Sequence, residues 1–173
     1  MRRPARRAQS VLALALVVPA ALAGCTSGGG SSDTAALVAD YATVDSQYHQ
    51  IQTGLDLPKG VSYPAHMPGG GGRYVAGAGT VAAQNYWFCA WLWTYLEEIP
   101  AARGQSRQAV QELPKYAQMD AYTGGLDARG RGSVDAAIQA AQQGTTPDVR
   151  TFAQTSCGGP FYGQARGTAS VRN

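Results

Sequence analysis

The chain has 173 residues and a formal net charge of +3, from 14 Lys and Arg against 11 Asp and Glu. Four of those cations are Arg2, Arg3, Arg6 and Arg7, so from residue 25 onward ten basic residues meet 11 acidic ones, for a net charge of −1. No basic patch remains to recruit nucleic acid or anionic lipid, and the length suits one domain. Charged residues are 14% of the chain, against the usual quarter or so.

Four arginines without an acid precede an apolar run over residues 11–22 (VLALALVVPAAL), broken by Pro19 alone, and then Leu22-Ala23-Gly24-Cys25. Basic, apolar and small in that order is the layout of a secretory signal peptide. The run falls short of the roughly 20 apolar residues a spanning helix needs. Two Arg-Arg pairs leave twin-arginine export open. Pro4-Ala5 and Ala8-Gln9 follow them where that route shows hydrophobic residues, which favours the general route.

Leu22-Ala23-Gly24-Cys25 resembles the lipobox of bacterial lipoproteins: Leu, two small residues and an obligatory Cys. The resemblance covers the first 25 residues. It implies cleavage before Cys25, a diacylglyceryl thioether on that sulfur, and often acylation of the new N-terminus. One chain holds a protein to a membrane marginally, two or three stably. The expected organisation is a signal peptide over 1–24, a flexible tether over 25–34 and a single extracytoplasmic domain over 35–173. The expected location is the outer face of the cell membrane, reached through lipid on Cys25. The alternative is an ordinary secretory cleavage site that happens to be followed by Cys.

The tether contains the Gly/Ser run 26–32, a composition that behaves as flexible coil. Leu37, Tyr41, Val44, Tyr48 and Ile51 recur at helical spacing and predict a helix over 33–52. Pro58, Pro64, Pro68 and four glycines at 69–72 make 55–72 irregular. A short extended piece is expected around Tyr74 and Val75, weakened by Gly77 and Gly79.

Residues 84–99 (QNYWFCAWLWTYLEEI) are the most informative. Phe88, Leu92, Tyr95, Leu96 and Ile99 form one face; Trp87, Trp91 and Glu98 lie nearly opposite. A helix apolar on almost every side is a buried one. Pro100 ends it. Ser106 is read as the cap of a helix through Val110 and Leu113, kinked at Pro114, resuming through Tyr116, Met119 and Tyr122, and stopped by Gly124-Gly125. Ser133 is read as the cap of a helix over 134–143 that Gly144 terminates. Thr146 is read as the N-cap and Pro147 as the first residue of a last helix, with Val149, Phe152 and Ala153 inward and its end near Cys157. Residues 163–173 are expected to fray. The fold class is all-α: a small four- to five-helix bundle around a central aromatic helix, with an irregular Pro/Gly-rich N-terminal half.

No catalytic, cofactor or metal site is read from the motifs. His49 and His66 are the two histidines, 17 residues apart, and a zinc site needs three or four convergent ligands; neither is read as having a Cys or a carboxylate at ligand spacing, and no metal is expected. Thr155-Ser156-Cys157-Gly158-Gly159-Pro160 superficially resembles the nucleophile loop of chymotrypsin-like proteases. Cys157 stands where the serine belongs and no histidine motif accompanies it, so a structural cysteine is the reading. Gly69–Gly72 and Gly77-Ala78-Gly79-Thr80 lack a following Gly-Lys-Ser/Thr and read as turns. Glu97 and Glu98, adjacent on a helix, point about 100° apart and do not make a carboxylate pair.

Two expectations remain. With Cys25 lipidated, Cys89 and Cys157 are left in an oxidising compartment and are expected to form a disulfide. Trp87, Trp91, Tyr95 and Glu98 are either core or the floor of a ligand surface, with core the stronger reading. The leading function is a non-enzymatic interaction with an unknown protein or cell-wall partner, without nucleic acid and without a cofactor. The alternatives are a small-molecule or lipid-binding module with an aromatic pocket, and a hydrolase with an unrecognised site.

Overall fold

A computed structural model describes residues 38–98 and 104–167. The signal segment, Cys25, the Gly/Ser run, Ile99, Pro100 and residues 168–173 lie outside them. The described chain is all-α, with six α-helices, two 3-10 segments and one two-stranded ribbon.

The ribbon pairs β1 (Val38–Asp40) with β2 (Arg73–Val75) in antiparallel register, Val38 opposite Val75 and Asp40 opposite Arg73. The extended piece around Tyr74 is thus present. The first helix, α1 (Tyr41–Gln52), starts eight residues later than its apolar spacing suggested. Asp40 sets that start: its carboxylate accepts the Thr43 N–H at 2.8 Å, an N-cap that satisfies an otherwise unpaired donor. The residues just before it are committed to the ribbon. Residues 53–72 are irregular, as their prolines and glycines dictate.

The central helix α2 (Ala78–Glu98) begins six residues before the aromatic run. Gly77, at φ 86°, turns the chain out of β2. Gly79 is then helical, where a turn was expected, because α1 crosses there. A β-carbon on Gly79 would overlap the Val44 carbonyl and come within 2.8 Å of the Tyr48 nitrogen. Ala82 and Ala83 continue this small face against Val44 and Tyr48. Beyond it, residues 86–96 of α2 are all buried, which makes it the core helix that its all-round apolarity predicts.

The remaining elements wrap α2. Helix α3 (Gly104–Glu112) contains Ser106 inside its first turn, where a cap was expected. The chain tightens at Pro114 into a 3-10 segment (Leu113–Gln118), a form that tolerates the missing N–H at its start. The one-turn α4 (Asp120–Thr123) ends at Gly124. Helix α5 (Ala128–Gln143) starts well before Ser133, because Asp127 caps it by accepting the Gly130 N–H at 2.7 Å. Ser133 instead donates to the Arg129 carbonyl within the helix. Gly144 ends α5 at φ 76°, in the left-handed region suited to glycine. Helix α6 (Thr146–Cys157) starts one residue earlier than expected, with Thr145 as its N-cap and Pro147 in its first turn, and stops at Cys157 as expected.

Residues 163–167 are not frayed. A 3-10 segment (Tyr162–Arg166) packs on α2, with Ala165 fully buried and the Arg166 guanidinium carbon 3.7 Å from the centre of the Trp93 ring. That contact combines stacking with cation–π attraction.

Candidate functional site

Cys89 and Cys157 are joined in a disulfide, Cα to Cα 5.6 Å, which ties the end of α6 to the middle of α2. Cys157 therefore has no thiol to serve as a nucleophile. Trp87, Trp91 and Tyr95 are 2%, 1% and 3% exposed. Both indole N–H groups of Trp87 and Trp91 donate to one acceptor, the Asp56 carbonyl, at 2.8 and 3.3 Å. The loop that carries Asp56 closes over this face of α2, so these aromatics are core and do not floor an open groove. Glu97 is exposed near the end of α2; the side chain of Glu98 lies outside the described residues.

The structure assembles a different group. Asp45 and His49 stand one turn apart on α1, and the Pro-flanked loop 63–68 brings His66 to them. His66 Nδ1 donates to Asp45 Oδ2 at 2.8 Å, and His49 Nε2 lies 3.6 Å from the same oxygen. The two imidazoles meet edge to face, 5.9 Å between centres. One ligand atom from each residue lies within 4.8 Å of the others. The carboxylate is 14% exposed, the imidazoles 45% (His49) and 69% (His66).

The loop is held in place independently of the imidazoles. The Met67 N–H donates to Asp45 Oδ1 at 2.9 Å, the Tyr41 hydroxyl donates to the Met67 carbonyl at 2.9 Å, and the Tyr48 hydroxyl donates to the Pro64 carbonyl at 3.3 Å. Burial alone would raise the Asp45 pKa. Hydrogen bonds from His66 and the Met67 N–H, with the attraction of both imidazoles, outweigh that and hold it below the usual carboxylate range. Part of this group was readable: Asp45 and His49 have the i, i+4 spacing that puts two side chains on one helix face. His66 was not, because only the loop fold brings it across.

A second feature is an aromatic cavity of about 340 Å³ beside the disulfide, lined by Asn85, Phe88, Tyr116, Phe152 and Tyr162 among others. Phe88 stacks on Tyr116 at 4.2 Å and meets Phe152 edge-on at 6.1 Å. Tyr116 donates its hydroxyl to Asn85. Its residues come from α2, α5, α6 and both 3-10 segments, so no single stretch of sequence announces it.

Fold and sites together define a small all-α domain closed by one disulfide, with a surface Asp–His–His group and an aromatic cavity. No protein-family model, curated protein or solved structure matches the chain. Among the described residues, no helix is long and apolar enough to cross a membrane.

Proposed function

We propose that the chain is a lipoprotein, held by lipid on Cys25 at the extracytoplasmic face of the cell membrane, whose domain engages a protein or cell-wall partner without catalysis. The observation that carries this reading is Leu22-Ala23-Gly24-Cys25 at the end of an apolar run with a basic start. The Cys89–Cys157 bond is in keeping with an oxidising compartment. Expression of the full chain in a bacterium with labelled palmitate tests it. The label enters the parent and not Cys25→Ser, which also keeps its N-terminal segment because the lipobox Cys is obligatory for cleavage. A parent without label, or equal labelling of Cys25→Ser, would overturn the reading.

The aromatic cavity favours a second reading, a small apolar ligand carried by the domain. Its volume and its mixture of aromatic walls with a few polar groups suit one. Saturable uptake of an apolar fluorescent probe, blocked by Ser133→Phe at the cavity wall, would support it; uptake indifferent to that change would dismiss it.

A further inference from the structure

We propose that Asp45, His49 and His66 bind a divalent transition-metal ion of the zinc class. Two imidazole nitrogens and a carboxylate oxygen are the donor set such ions take, in contrast to the all-oxygen sets of calcium and magnesium.

The geometry is close to what the ion requires. Zinc bonds of about 2.0–2.1 Å in a tetrahedron place ligand atoms roughly 3.3–3.4 Å apart. Asp45 Oδ2 is 2.8 Å from His66 Nδ1 and 3.6 Å from His49 Nε2, and the three donors span no more than 4.8 Å. The imidazoles must shift by fractions of an ångström to about an ångström, and both rings are exposed enough to do so without disturbing the core. His66 binds in the tautomer that carries its proton on Nε2, so that Nδ1 faces the ion.

The surroundings are organised for this role. The Met67 N–H occupies Asp45 Oδ1 and leaves Oδ2 to the ion, as partners behind a ligand commonly orient it. Tyr41 and Tyr48 fix the loop on either side of His66. Loop anchoring by itself accounts for the bond from Met67 and for the bond from His66. His49 Nε2, 3.6 Å from the same oxygen, is beyond hydrogen-bond distance of it but within reach of a shared ion, which would use all three side chains. Three protein ligands on an exposed surface leave at least one coordination position outward, for water or a donor from outside the chain. The bound ion is therefore exchangeable and accessible to chelators.

The site does not depend on the lipoprotein reading, and its test is separate. Zinc is titrated calorimetrically into the metal-stripped, disulfide-bonded chain, and cobalt(II) spectra report the coordination. One equivalent binds, with the visible bands of a tetrahedral ion. His49→Ala and His66→Ala each weaken it by at least about tenfold. Zinc raises the melting temperature of the parent and not of the double variant, because an ion bound only to the folded state stabilises it. His49→Ala is the decisive variant, since the hydrogen bonds that anchor the loop, from Met67, Tyr41 and Tyr48, involve other side chains. Absence of saturable uptake by the parent, or uptake undiminished in the double variant, would overturn the proposal.

Discussion

Gly79 of α2 and Val44 of α1 are in backbone contact: a β-carbon on the glycine would overlap the valine carbonyl. The crossing exists because the residue at that point has no side chain, and the ribbon and the His66 loop are built on the helix it positions.

Gly79→Ala is therefore destabilising, by about 1–3 kcal/mol or more, as overpacking against rigid backbone is. Gly132, inside α5, has nothing within 4 Å of its would-be β-carbon. There the same replacement stabilises, by roughly 0.5–1 kcal/mol, because it restricts the unfolded chain and suits a helix. Thermal melts of the two variants should move in opposite directions. A shared direction would mean that the crossing is looser than described.

Loss of the disulfide has a calculable cost. The bond spans a sequence separation of 68, and the chain-entropy model assigns a loop of that size about 4 kcal/mol. That is a large part of the ~5–15 kcal/mol typical of a domain. Cys89→Ala/Cys157→Ala should unfold at correspondingly lower denaturant concentration. Mass spectrometry of the parent without reductant should find neither thiol open to alkylation.

The tyrosines set the alkaline limit. Burial pushes Tyr86 from its usual value near 10 up to about 12. Tyr48, Tyr63 and Tyr116 are raised too, with burial again the main cause. A phenol whose pKa is higher folded than unfolded contributes stability that is complete below pH 10. It is lost as the pH climbs from 10 through the folded value. Tyrosinate absorbance should thus lag behind that of free tyrosine and then rise together with loss of the helical circular dichroism signal. Smooth titration of all nine tyrosines near pH 10 would contradict the burial.

What could be read from the sequence was what local chemistry decides. Residues 86–96 are apolar around almost the whole helix, and their burial follows from that alone. Gly144 ends its helix and Pro147 stands in the first turn of the next, each acting on its own backbone, and Cys89 and Cys157, expected to pair, do so. What escaped depends on distant contacts. Gly79 looks like a helix breaker until α1 lies across it, and Val38–Asp40 extends only because a strand 35 residues away pairs with it. Ser133 lost its capping role to Asp127, a better-placed acceptor. Ala165 and Arg166 are ordered by the surface of α2, which their own composition does not reveal. The Asp45–His49 spacing was local and visible; its completion by His66 was not.

The concentration of indoles on α2 has a photophysical consequence. All three tryptophans of the chain, Trp87, Trp91 and Trp93, lie within two turns of one helix and are buried there. Intrinsic tryptophan fluorescence of this protein is accordingly a single-element signal: its emission reports the solvation of the central helix.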